Sequence, residues 1–377
     1  MRARSFTDNS EEVAGSMKAL KIIIRIAAAL LVFALGIWLL QRLLVPKYVT
    51  ENEEGLLVKE YYSYAGGNDV LFIGDCEVYS NFSPVRLWQD FGITSAIRGS
   101  PQQLIWHSYY MLEDTLRYET PKVVVFNVLS MKYGEPQSEA YNRLALDGMK
   151  WSDVKYRAIK ASMTEEEADS EALTVASYVM PILRFHSRWN ELTGADFKYM
   201  FGTRQLSHNG YVMRIDVKPV DTIPKAAPLP DYSFADVCWD YLEKIRTLCD
   251  RNGIQLILIK APTLRPHWYD EWDEQIVKYA EEKGLCYVNI LNEVETIGID
   301  YTTDTFDAGM HLNLSGAEKL TKWFGTYLKA NTALPNHRGE AEYEEKWIDR
   351  IDYYNEMAEA QAKQLSENGK LDGYWGD

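Results

Sequence analysis

The chain has 377 residues, 46% of them hydrophobic and 13% aromatic, which is ordinary for a globular protein and enough for one substantial buried core with additions. Its formal net charge is −15, and no charge run is basic enough to follow a phosphate backbone, which argues against a general nucleic-acid binder. Much of the acid sits at the end, where residues 340–377 hold 11 Asp/Glu against 4 Lys/Arg.

Residues 1–21 read as a polar tail. Ile22 to Leu44 follow as a transmembrane candidate, because 23 helical residues rise ~34 Å against a hydrocarbon layer of ~30 Å. Ile26 to Leu40 carries no polar side chain. Arg25 on one side and Gln41 with Arg42 on the other lie near enough to the ends to reach the head groups, and Trp38 suits the outer interface. A cleaved signal peptide is the competing reading, with Ala34-Leu-Gly36 as a small-residue site. The apolar run continues past it through Leu40, which favours an uncleaved anchor crossing once. Arg2, Arg4, Lys18, Lys21 and Arg25 precede the span, whereas Arg42, Lys47 and Lys59 follow, so the N-terminus is expected in the cytoplasm and the main domain outside.

Residues 45–67 read as a polar, Tyr-rich stalk. An α/β pattern then occupies 68–335. The strand candidates are 69–73, 93–97, 123–128, 254–259 and 286–290, mostly unbroken apolar runs of the kind that suit strands covered on both faces. Helices are expected over 101–117, 234–252 (closed by Gly253) and 268–283 (closed by Gly284). A further helix enters at Ser315 and Glu318 as a capping box, with Leu320, Trp323, Phe324, Tyr327 and Leu328 as its stripe. The alternation predicts a doubly wound, mainly parallel sheet in three layers, whose ligands collect at the carboxyl ends of the strands. Between 130 and 230 the strand rhythm disappears, which predicts an inserted helical subdomain or lid. Within it, Arg184, His186, Arg188 and Trp189 are candidates for binding a sugar or an anion, against the plainer reading that they pack. Residues 336–377 read as an acidic, exposed terminal helix or tail.

The chemistry concentrates at two places. Asp69-Val-Leu-Phe-Ile-Gly-Asp-Cys76 is a strand running into a tight turn that holds a thiol at a sheet edge. Asp307-Ala-Gly-Met-His311-Leu-Asn-Leu-Ser-Gly supplies a carboxylate and an imidazole. A nucleophile, a base and an acid that orients the base are the parts of an acyl-transfer site. A disulfide framework does not suit the other cysteines: Cys238 and Cys249 fall on one helix ~16 Å apart, too far to bridge, and Cys286 begins a strand taken as buried. No Cys-x-x-Cys occurs. His107 lies in an aromatic helix and reads as packing, while His208, His267 and His337 are scattered, so neither a metal site nor a cofactor is expected.

With both motifs in place, the chain resembles the SGNH/GDSL hydrolase superfamily, especially membrane-anchored members related to the accessory proteins of teichoic-acid D-alanylation and polysaccharide O-acetylation. The likeness covers residues 69–130 and 234–330. Gly74-Asp75-Cys76 stands where that family has Gly-Asp-Ser. Gly99, in Ile97-Arg-Gly-Ser-Pro, looks like its oxyanion-hole glycine, and Asn127, ending Val-Val-Val-Phe-Asn, looks like its oxyanion-hole asparagine. His311 is similar to its base, with Asp307 as the orienting acid four residues earlier and Asp304 as the substitute. The resemblance implies an esterase or O-acyltransferase acting on a cell-envelope glycan, with Cys76 as nucleophile and the Cys76 N–H, Gly99 and Asn127 binding the oxyanion. It also implies a membrane-bound O-acyltransferase as partner. The rival expectation is a degenerate fold that has lost catalysis and serves as a binding or scaffold protein.

Overall fold

The computed structural model of the chain describes residues 5–46, 53–201, 205–223 and 225–371. Arg2, Arg4 and Lys47, three of the charges used to orient the span, lie outside these residues, as do positions 47–52 of the expected stalk and 372–377 of the acidic tail. The chain divides into two compact units, one formed by residues 1–47 with 176–202 and the other by 48–175 with 203–377.

In the first unit, helix α1 spans Ser5–Leu44. Its part from Gly15 to Leu44 is long and apolar enough to cross a membrane, and the 18-residue apolar window within it is not buried by protein, with Leu31 72% and Phe33 66% exposed. Burial of such aliphatic side chains is worth about 1.5–3 kcal/mol each, and within this chain the window leaves that stabilisation unrealised. Short helical turns at Ile182–Phe185 and Gly194–Lys198 pack against α1. The Arg188 guanidinium donates to the Leu44 carbonyl (2.6 Å), and Arg42 Nε donates to the Met200 carbonyl (2.5 Å). Among the described residues of 130–230, short helices occur between Glu139 and Lys198 and none over 205–223, and part of the segment belongs with the apolar helix.

In the second unit, five strands, β1 (Val70–Gly74), β2 (Ser95–Gly99), β3 (Val123–Asn127), β4 (Gln255–Lys260) and β5 (Cys286–Asn289), form one all-parallel sheet in the order β2-β1-β3-β4-β5. This is a common doubly wound order. The runs Val-Leu-Phe-Ile and Val-Val-Val-Phe are buried throughout, as strands covered on both faces must be. β5, at the edge, is only half-buried, so Cys286 does not begin a fully buried strand. Val70, Phe72, Val123, Val125, Ile257 and Ile259 share one face and one core. The residues alternating with them, among them Leu71, Ile73, Val124 and Phe126, are buried on the other.

Four of the helices lie where the apolar periodicity puts them. In chain order the labelled helices of this unit are α2 (Glu53–Tyr64), α3 (Cys76–Tyr79), α4 (Pro84–Phe91), α5 (Ile105–Thr115), α6 (Asp236–Arg251), α7 (Asp270–Lys283), α8 (Leu314–Asn331) and α9 (Ala341–Asn368). Helix α8 is capped by Asn313, whose side chain accepts the Gly316 N–H at 3.2 Å, and not by a box of Ser315 and Glu318. Glu318 is instead bonded by the Tyr354 hydroxyl.

Two expectations about the flanks are corrected. The second half of the presumed stalk is α2, whose Leu57, Val58, Tyr61 and Tyr64 are buried; they form an i, i+1, i+4, i+7 stripe that the intervening Glu and Lys residues obscured. Arg98, inside β2, stacks on Tyr61 (4.1 Å) and pairs with Asp114 at 3.1 Å with both side chains fully buried. The acidic helix α9 exposes its acids but docks its other face: Trp347 stacks on Trp88 at 5.2 Å, and Gln361 donates to the Met213 carbonyl while accepting the Ile215 N–H.

The chain returning from the insertion runs along β2. Ile97 N–H donates to Asn209 O (2.9 Å) and Val212 N–H to Tyr79 O (2.8 Å). Gly210, at φ +91°, is pressed on Ile97 so closely that a Cβ would lie 2.5 Å from its carbonyl oxygen. This covers an edge that would otherwise be free to pair with another chain.

Candidate functional site

Strand order reverses around β1, which lies between β2 and β3, and the crevice beyond the carboxyl ends at such a point is where doubly wound sheets bind ligands. Gly74 ends β1. A Cβ there would meet Val78 at 2.4 Å and Asn127 at 3.0 Å, so glycine lets α3 begin at once. Asp75 caps that helix by accepting the Glu77 N–H (3.1 Å), which makes Cys76 its first residue. The Cys76 N–H therefore belongs to the opening turn, where no intrahelical acceptor exists.

The imidazole comes from the loop before α8. Ala308 (φ +61°) and Gly309 (φ +90°) are both left-handed, and this tight reversal brings the Asp307 carboxylate onto His311 across four residues. One oxygen accepts the His311 N–H at 2.7 Å and the other lies 2.5 Å from ring Nδ1. A carboxylate at Nδ1 places the proton there and leaves Nε2 as the free nitrogen of a neutral ring. Cys76 and His311 lie near enough to act on one another's protonation, His311 lowering the thiol and Cys76 raising the ring. Phe306 stacks on the ring at 5.7 Å, and Thr305 Oγ1 donates to the His311 carbonyl (2.8 Å). Asp304, the alternative acid, is buried and occupied elsewhere: it accepts from Lys319 Nζ at 2.6 Å and from the Asp300 N–H at 2.8 Å.

Electrostatics decide the resting state of the pair. Burial pushes the Cys76 thiol up to about 11, and the Asp75 and Glu77 carboxylates add to that against the influence of His311. Burial and the two carboxylates thus oppose the thiolate that an adjacent imidazolium favours. Burial disfavours the His311 cation, but negative charge on Cys76, when ionised, and on Asp307 outweighs it and shifts the ring well above its usual value. Asp75 is raised to about 6 by burial and by Glu77.

Of the three oxyanion candidates, Gly99 pairs with Gly74 at the ends of β2 and β1. A Cβ on it would meet the Tyr79 ring at 3.0 Å. Asn127 ends β3 beside Asp75, but its amide is committed: Nδ2 donates to Glu77 (2.9 Å) and, at 3.4 Å, to Asp75, while Oδ1 accepts the Ala261 N–H (3.2 Å). Arg184, His186, Arg188 and Trp189 fall in the unit that contains α1, whereas Cys76, Asp307 and His311 fall in the other. Arg188 is bonded to Leu44 O and Asp196, and His186 Nδ1 lies 3.1 Å from Leu183 O.

Several residues at this centre were not anticipated. Glu77, 1% exposed, receives Lys260 Nζ at 2.9 Å on both oxygens and a hydrogen bond from Thr263. Lys260 itself is fully buried at the end of Leu-Ile-Leu-Ile-Lys. A lysine closing an apolar strand was the available signal, since such an ammonium must find a carboxylate. Lys132 and Tyr133 follow β3. Burial lowers the Lys132 ammonium while Asp75 and Glu77 oppose the shift, and burial with Asp75, Cys76 and Glu77 raises the Tyr133 hydroxyl to about 12. Tyr133 O accepts from Cys238 Sγ at 3.2 Å. Comparison of the chain with protein-family models and with curated proteins finds no match.

Proposed function

We propose that this is a single-pass membrane protein, N-terminus in the cytoplasm, whose exported SGNH-like domain hydrolyses or transfers acyl esters of a cell-envelope glycan through Cys76. The carrying observation is the Asp307 carboxylate on His311 Nδ1, with Cys76 acting on the same ring. With burial raising the thiol, His311 acts as a general base. Cys76 Sγ attacks the acyl carbon as its proton moves to Nε2, and Asp307 stabilises the imidazolium. Collapse of the tetrahedral intermediate breaks the ester C–O bond, and the leaving alkoxide takes the proton back from His311. Water or a sugar hydroxyl then attacks the thioester, gives its proton to Nε2, and the returning sulfur recovers it. The Cys76 N–H and the Gly99 backbone support the oxyanion, each good donor being worth about 3 kcal/mol. A membrane-bound O-acyltransferase is the proposed source of the acyl group, and the tether keeps the domain near it.

One observation favours the second reading, a scaffold without catalysis: the Asn127 amide faces Glu77 and Asp75 rather than an open oxyanion position. Cys76→Ala and Cys76→Ser in the full chain separate the two. A catalyst loses turnover of acetylated glycan and the mass-detectable acyl thioester in Cys76→Ala. Retention of envelope acylation in cells by both variants, with no adduct on the native chain, would sink the catalytic reading.

A further inference from the structure

The segment 176–202 joins α1 in one unit, and it is unusually apolar on its outside. Val179, Met180, Leu183, Trp189, Phe197 and Phe201 are all exposed, Trp189 at 72% and Phe201 at 64%. Soluble surfaces seldom gather so many large apolar side chains, and such a patch marks an interaction site. Its position says what covers it. The Phe201 ring lies 6.2 Å from Trp38, Arg42 bonds the Met200 carbonyl, and Arg188 bonds the Leu44 carbonyl, so the segment wraps the end of α1 where the apolar stretch gives way to polar chain. The patch is therefore continuous with the uncovered surface of the span itself.

The local composition fits that level. Six of these 27 residues are aromatic, and the segment has three Arg/Lys against two Asp/Glu in a chain of net charge −15. Aromatic rings and long cationic side chains collect where acyl chains meet head groups, and an apolar patch of short helical turns lies in that plane rather than across it. We infer that residues 176–202 form a second membrane contact, a collar inserted into the outer head-group and upper acyl region around the exit of α1. This rests on the reading of α1 as a span. It assigns Trp189 and its neighbours to lipid rather than to a sugar.

The test uses the full chain labelled with fluorotryptophan in phospholipid nanodiscs, with Trp38→Phe and Trp189→Phe to assign two fluorine resonances and the other tryptophans as folding controls. Phospholipid spin-labelled near the top of the acyl chain should broaden both Trp38 and Trp189, while a water-soluble gadolinium chelate leaves Trp189 sharp. Broadening of Trp38 alone, with Trp189 broadened by the chelate, overturns the collar and leaves the span standing. A Trp189 signal insensitive to both agents means protein covers it and also overturns the collar. If neither signal senses the lipid label, the span reading fails and the collar with it.

Discussion

Asn81 Oδ1 accepts the Leu312 N–H at 2.8 Å, tying the segment after α3 to the peptide that follows His311. Cys76 and His311 are thereby linked on their C-terminal sides by a bond between buried groups. Asn81→Ala leaves the Leu312 N–H without that acceptor, which costs about 1–3 kcal/mol. A displacement of the ring by ~1 Å lowers turnover roughly 100-fold. Thermal unfolding together with ester turnover checks both; unchanged turnover with lowered stability would show that the bond supports only the fold.

Asp307→Asn tests the orientation of His311. The base must be neutral, and its pKa is raised, so turnover rises with pH through that raised value. Removing the carboxylate moves the acid limb to lower pH while cutting the rate by roughly 10³-fold or more, because the ring loses its tautomer control. Stability follows the opposite sense: with the folded value above the unfolded ~6.5, the stabilising share of His311 is full below ~6.5 and fades as pH rises through the folded value. A pH–rate profile whose acid limb does not move in Asp307→Asn contradicts the assignment.

Cys76 should alkylate slowly at neutral pH. With its thiol pushed up to about 11, the thiolate fraction, and with it the iodoacetamide rate, climbs about tenfold per pH unit until it approaches that value. Peptide mass spectrometry of Cys76 across pH 7–11 gives the curve. A plateau already reached near pH 8 would mean a resting thiolate and a different role for His311.

Lys260→Met strands a buried carboxylate. Losing one partner of a buried pair costs about 3–5 kcal/mol, whereas removing both charges is often close to neutral. Lys260→Met alone is therefore expected to unfold at markedly lower denaturant, and Lys260→Met with Glu77→Gln to recover most of the loss.

What could be read from the chain divides along physical lines. β1, β3 and β4 were legible because strands buried on both faces must be continuously apolar, and α6 and α7 because Gly253 and Gly284 end their stripes. The thiol, ring and carboxylate were legible as types at strand and helix ends, and the four-residue spacing of Asp307 and His311 is explained by the left-handed Ala308 and Gly309. The Glu77–Lys260 pair was hidden because it spans 183 positions, and no local pattern pairs charges at that range. Helix α2 was hidden by its charged residues. The upward shift of the thiol was hidden for a related reason: its burial and the two carboxylates beside it arise only once the sheet has formed.

The two halves of the proposed centre are also separated in time. A polypeptide emerging N-terminus first presents its sulfur early and must add more than two hundred residues before the imidazole and its acid exist. Throughout that interval no proton acceptor from the later loop stands beside Cys76, so on the proposed mechanism a nascent or truncated product stays inert towards esters. Reactivity would thus begin only after the last third of the chain has been delivered and has closed onto the first strand.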